Sequence, residues 1–114
     1  MRYLLMLHVD ESGWPKLPAP ERAQAMERYA AYNQTLAGAG VLVATGRLTP
    51  SAASTQIRTV GGKVVAMDGP YAETKEQVGG FYLIEAPDHG AALDWARQCP
   101  AAGHGAVEVR EVAG

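Results

Sequence analysis

Thr55-Gln56-Ile57-Arg58-Thr59-Val60-Gly61-Gly62-Lys63-Val64-Val65-Ala66-Met67 sets two runs of strand-forming residues on either side of a glycine pair. Two glycines in that position supply the positive φ angles of a tight turn, so the stretch predicts a β-hairpin over 55–60 and 63–67. Downstream comes Asp68-Gly69-Pro70-Tyr71-Ala72-Glu73-Thr74-Lys75-Glu76, nine residues with five ionisable side chains and a rigid Gly-Pro turn. Gly79-Gly80-Phe81-Tyr82-Leu83-Ile84-Glu85 then predicts a strand. Pro87-Asp88 opens a helix with Asp88 as N-cap, Ala92, Trp95, Ala96 and Cys99 form its inward stripe, and Pro100 stops it. Residues 106–112 alternate apolar with charged side chains, the pattern of a half-solvated strand. Upstream of the hairpin, 41–48 predicts a strand that ends at Thr49-Pro50, because proline cannot donate to a central ladder. A helix is expected from Pro20 to Ala39, with Met26, Tyr29, Asn33, Leu36 and Ala37 at helical spacing and Gly38 and Gly40 as its stop. Residues 2–9 predict a first strand buried on both faces.

The order βαβ(ββ)αβ is that of an α+β, ferredoxin-like sandwich with a hairpin insertion and both helices on one sheet face. Alternation places apolar side chains such as Leu5, Leu7, Val65, Phe81 and Leu83 on both sides of the sheet. A single layer of helices leaves one such side uncovered, so a homodimer joined sheet to sheet, or a barrel-like arrangement, is expected, with a cleft where the loops and the inner helix meet. The 114 residues, 47 % of them apolar, suffice for one domain over 1–114 with its own core. A net charge of -2 with interspersed signs lacks the basic footprint of a nucleic-acid binder. The lone Cys99 cannot form an internal disulfide, no apolar run reaches bilayer length, and His8 and Asp10 interrupt any signal-peptide core, so a cytoplasmic location is expected.

The run from Asp68 to Glu76, followed by Val78-Gly79-Gly80-Phe81-Tyr82-Leu83-Ile84, closely resembles the DGPF-type proteins of the YCII-related group. The likeness extends through Ala39-Gly40-Val41-Leu42, Ala92-Leu93-Asp94-Trp95-Ala96, Cys99-Pro100-Ala101-Ala102 and Val107-Glu108-Val109-Arg110, and so covers nearly the whole chain. The resemblance implies a dimeric α/β barrel type of fold. It implies little about activity: members are mostly uncharacterised, some are encoded beside extracytoplasmic-type sigma factors, and distant relatives act on small aromatic or lactone substrates. Better-studied YCII-like proteins resemble enzymes with a His on the first helix and an Asp just before the proline that ends the second. Here those positions hold Tyr29 and Cys99. A phenol and a buried thiol do not reproduce a His-Asp relay at pH 7, so that mechanism is not carried over.

Catalytic candidates are His8, an imidazole able to serve as acid or base that would meet the acidic loop if the strands are adjacent, and Asp68, either a general base or the acceptor of an Asx-type turn. The bland alternative for His8 is a ring satisfied by a carbonyl. Arg47 is a candidate carboxylate binder or an interface ion pair, and Tyr71, Glu73 and Lys75 are candidate substrate contacts or a solvated loop with Glu76 in water. His8-Val9-Asp10-Glu11, His89 and His104 lack a convergent ligand pattern, so no metal is expected. Gly61-Gly62 is a hairpin turn and Gly79-Gly80 enters a strand, so no phosphate cradle or nucleotide cofactor is expected. Two functions remain: a small-molecule enzyme or binding protein with a dimer cleft, acting on an acidic or aromatic compound by proton transfer, or a non-catalytic module that contacts a protein such as a sigma factor.

Overall fold

The computed structural model describes residues 1–114. Its elements are β1 (Arg2–Asp10), α1 (Ala19–Gly38), β2 (Leu42–Arg47), β3 (Thr55–Val60), β4 (Lys63–Asp68), β5 (Glu76–Glu85), α2 (His89–Arg97) and β6 (Ala106–Glu111). Four strands form an antiparallel sheet in the order β2-β5-β1-β6, and β3-β4 form a separate two-stranded sheet. This is the ferredoxin-like α+β arrangement. The predicted order undercounts it by one strand: β5 follows the hairpin and joins the main sheet, which gives βαβ(ββ)βαβ. Val65, placed by sequence on the main sheet, instead belongs to the hairpin.

Alternation explains which face is buried. Tyr3, Leu5 and Leu7 of β1 lie opposite Ile84, Tyr82 and Gly80 of β5 and face the helices, where the core forms with Leu36, Tyr32, Ala92 and Ala96. Leu4 and Met6, opposite Leu83 and Phe81, point to the other side and are only half-buried. The expectation that β1 is buried on both faces therefore fails in the single chain, because both helices pack on one side. In α1 the buried residues are Ala25, Tyr32 and Leu36, with Tyr29 packed beside them, whereas Met26 is 46 % exposed. The apolar stripe thus runs through Ala25, Tyr29, Tyr32 and Leu36, one position earlier than Met26.

Local signals hold where they depend on neighbours in the chain. Asp88 accepts the Ala91 N–H at 2.8 Å and caps α2. Gly61 and Gly62 have φ of 58° and 79° and join Val60 to its partner Lys63. Cys99 lies just beyond α2, preceding a short 3-10 turn at Pro100–Gly103, yet its side chain stays buried.

A bulge sets the far end of the sheet. Leu7 pairs with Gly80 but His8 pairs with Val78, so Gly79 is an extra residue on β5. From there the alternation of β5 is inverted: Val78 turns to the open face with His8, and Gln77 turns to the helix side with Val9. The longer β1 also captures Glu76-Gln77-Val78 as strand, three residues before the sequence-predicted start.

Gly105, which starts the chain into β6, has no room for a side chain: a Cβ there would stand 2.1 Å from the His8 carbonyl oxygen. Gly105→Ala is expected to push β6 off β1 and to cost on the order of 1–3 kcal/mol, the range for overpacking, read as a lower urea midpoint with unchanged slope.

Candidate functional site

The ionisable loop narrows to Gly69–Lys75 once β5 claims Glu76. Two glutamines hold it. Gln56 on β3 donates to the Pro70 carbonyl at 2.7 Å, and Gln77 on β5 donates to the carbonyls of Ala72 at 2.7 Å and Thr74 at 3.0 Å. The Thr74 hydroxyl closes the end of the loop on the Glu76 carbonyl at 2.6 Å. Each bond satisfies a carbonyl that the loop's irregular backbone cannot pair internally. At the start of the loop, Gly69 has φ of 106°, its N–H goes to the Ser54 carbonyl at 2.7 Å, and no peptide bond in the chain is cis. The Ser54 carbonyl takes the Gly69 N–H, the Asp68 carboxylate makes no hydrogen bond to the turn as the Asx alternative required, and Asp68 is exposed.

Between this loop and the connection after β2 lies a half-open cavity of about 320 Å³, lined by Leu48, Thr49, Ser51, Ser54, Pro70, Tyr71, Gln77 and Val78. A second cavity of about 300 Å³ adjoins it, lined by Arg47, Leu48, Thr49 and Pro50. The two share Leu48 and Thr49. Glu11 fixes the wall: its carboxylate accepts the Ser51 N–H and the Ser51 hydroxyl, both at 2.6 Å. Such a charge-assisted pair orders a loop that has little other secondary structure.

Of the candidates named from sequence, Arg47 and Tyr71 line these cavities. Arg47 pairs with Gly80 across β2-β5, which aims it to the helix side. Its guanidinium lies 5.2 Å from the Trp14 ring centroid, with Nη1 3.7 Å from Met26 Sδ. No carboxylate lies within ion-pair distance of it, so the interface ion pair weighed for Arg47 is absent within the chain. Tyr71 is 83 % exposed, with the Arg58 guanidinium 5.8 Å from its ring centroid. Glu73 is exposed and lines neither cavity. Lys75 reaches Asp10 at 3.7 Å, but its side chain is 82 % exposed, so water and salt screen the pair. The Asp10 carboxyl is held below its ordinary value first by the Ser12 hydroxyl, at 2.7 Å, and only secondarily by Lys75.

His8 and Asp68 are not brought together. Asp68 pairs with Thr55 in the hairpin sheet, whereas His8 stands on the open face of the main sheet. The His8 ring meets Glu108, not the acidic loop: Nε2 lies 2.8 Å from Glu108 Oε1, and Arg110 is 3.8 Å from the other oxygen of Glu108. The Glu108 contact was missed from sequence, although alternation alone would have placed Glu108 and Arg110 on one face of β6.

Tyr29 and Cys99 prove to be neighbours in a buried aromatic cluster. Burial pushes the Cys99 thiol up and raises the Tyr29 phenol to about 12, with nearby Cys99 as the second cause for Tyr29. Both are neutral at pH 7, and neither relays a proton to the other. The Tyr29 hydroxyl instead lies 3.1 Å from His104 Nε2, a partner that sequence reasoning had set aside. Tyr32 donates to the Trp95 carbonyl at 2.7 Å, Tyr82 donates to Asn33, and the two rings meet edge to face at 5.1 Å.

An α+β ferredoxin-like chain with a hairpin insertion and a small cavity under the Gly-Pro loop is thus on hand. The chain belongs to the YCII-related family: the YCII-related domain model matches residues 1–113. It is similar to an uncharacterised protein of Rhizobium meliloti (strain 1021), 37 % identical over 115 residues that span 99 % of this chain and 93 % of the relative. No helix is long and apolar enough to cross a membrane.

The tyrosine cluster carries a pH prediction. Tyr29 and Tyr82 are raised to about 12 and Tyr32 is raised further, in each case first by burial. In the unfolded chain these phenols ionise near 10. A raised folded value means that the unfolded state loses its protons first, so the stabilisation is whole below pH 10 and is lost as pH rises from about 10 to 12. Tyrosinate absorbance from this cluster should appear together with the loss of circular dichroism; full ionisation of all phenols with the fold intact would contradict it.

Proposed function

We propose that this protein is a homodimer that binds a small aromatic or acidic molecule in the cavity between the loop after β2 and the Pro70-Tyr71 turn. The observation that supports it is the state of Arg47. Arg47, its guanidinium held against the Trp14 face without a carboxylate of its own, lines a cavity that shares Leu48 and Thr49 with the one bearing Tyr71. Arginine presents a fixed fork of donors that matches a carboxylate, and the exposed Tyr71 ring offers a stacking surface. The Thr49 and Ser54 hydroxyls add polar groups to the lining. Their combined volume suits a compound of benzoate size, since small-molecule pockets begin at about 300 Å³.

Binding, more than turnover, is the function this arrangement favours. His8, the proton-transfer candidate, lines neither cavity, and Asp68 lies in a different sheet. His8 belongs instead to the surface proposed for dimerisation. Leu4, Met6, Phe81 and Leu83 form an apolar centre there, rimmed by the Arg2–Glu85 pair at one end and by Glu108 and Arg110 along β6. An apolar centre within a charged rim is the usual anatomy of a protein interface.

Two measurements test this. Millimolar benzoate should raise the melting temperature of the wild-type protein, and Arg47→Ala should weaken benzoate binding about tenfold or more, the loss expected of a charge-assisted hydrogen bond; no shift with benzoate or any small carboxylate would refute the binding role. Leu83→Arg places a charge at the centre of the open face and should convert a dimer at micromolar concentration into a folded monomer, read by light scattering. A wild-type protein that is already monomeric there removes the dimer from the proposal.

A further inference from the structure

We infer that the β3-β4 hairpin is an arm that docks on the second copy of this chain. The inference rests on the homodimer proposed above and extends it from the open sheet face to the hairpin. A two-stranded hairpin alone in water is marginally stable at best, and this one forms a sheet of its own, apart from the four-stranded sheet. The hydrogen bonds at its base, from the Gly69 N–H to Ser54 and from Gln56 to Pro70, join its own two ends to each other. Beyond them, apolar side chains stand in the open: Ile57 is 67 % exposed, Val60 56 %, Val64 73 % and Met67 45 %.

The register shows how these residues are arranged. Ile57 lies opposite Ala66, and Thr59 opposite Val64, so Ile57, Thr59, Val64 and Ala66 share one face. No charge interrupts that face between the Asp68–Thr55 pair at its base and the turn. Exposed hairpins that must stay free of partners carry lysines or inward charges on such faces. Here the cations Arg58 and Lys63 lie on the opposite face, and Arg58 is drawn onto Tyr71.

The amount of surface identifies the occupant as a second copy. The chain exposes 7410 Å², about 1,400 Å² more than the roughly 6,000 Å² expected of a folded monomer of this mass. The excess exceeds the ~800 Å² per partner of a standard interface and falls in the range of obligate dimers. The open sheet face does not account for it alone, since Leu4, Met6, Phe81 and Leu83 are already half-screened by their neighbours. The radius of gyration, 16.0 Å, compares with about 13 Å for a compact domain of this length. The molecule is 48 × 41 × 17 Å, a plate with a projection. In the chain the arm connects β2 to β5, whose residues Ala44, Phe81 and Leu83 share the open face. In a two-fold dimer each arm contact occurs twice, which doubles its effect.

The test compares the full-length wild type, Ile57→Lys/Val64→Lys and Leu83→Arg by sedimentation velocity and amide exchange. The double lysine variant is expected to keep the native circular dichroism and to dissociate about a hundredfold more readily, as befits the loss of two interface anchors. Amides of residues 56–67 should exchange slowly in the wild-type dimer and fast in monomeric Leu83→Arg. If the lysine variant dimerises as tightly as the wild type, or if the arm amides exchange equally fast in dimer and monomer, the arm inference is overturned while the dimer stands. Protection of the arm that arises only with a different protein would overturn it also. A wild-type monomer would instead remove the dimer itself. Should the lysine variant fail to fold, the exchange comparison between wild type and Leu83→Arg decides the matter.

Discussion

The pairing of β1 with β5 is the contact to which every other part of this molecule is referred. β1 has a neighbour on each side, β5 and β6, and β5 in turn carries β2, so these two strands fix the position of the whole sheet. Their register puts Tyr3, Leu5, Tyr82 and Ile84 against the helices, with Leu5 and Ile84 fully buried. Burial of side chains of that size is worth about 1.5–3 kcal/mol each, which makes this face the main source of stability. The bulge at Gly79 then inverts the alternation for the last three pairs and hands Gln77 to the helix side, where it can hold the loop.

From that bulge the site follows by a short series of contacts. Gln77 and Gln56 grip the loop's carbonyls from two sheets, Glu11 clamps Ser51, and the space left between the two restrained segments is the cavity. Amide and carboxylate groups that satisfy backbone atoms shape the site, whereas the ionisable groups that make the loop conspicuous lie mostly in water. Glu73 and Lys75 thus contribute solubility and weak pairing, and the Gly-Pro turn contributes shape.

Much of the fold was legible in the chain. The hairpin turn at Gly61-Gly62, the Asp88 cap and the alternation of β6 are encoded by residues adjacent to one another, and the Gly-Pro motif pointed to the YCII-related family that the comparison with known proteins supports. Within the site, Arg47 and Tyr71 were legible as residue types able to meet a ligand, and both line the cavities. Gln56, Gln77 and Glu11 were not, because a neutral amide in a strand and an acid in a turn look like ordinary surface until their partners are known. The stripe of α1 was read one position off at Met26, since periodicity gives the width of an apolar face but not the angle at which the sheet receives it.

By itself the sequence determined the elements, their order and the family, since each depends on steric and hydrogen-bonding preferences that act within a few residues. Only the tertiary structure decided which chemical groups meet. His8 finds Glu108 one hundred residues away, Tyr29 finds His104 seventy-five away, and Ser51 finds Glu11 forty away. The first of these depends on the β1-β6 register, where a shift of one position would move a side chain to the opposite face of the sheet, and the others on how helix and loops pack around it.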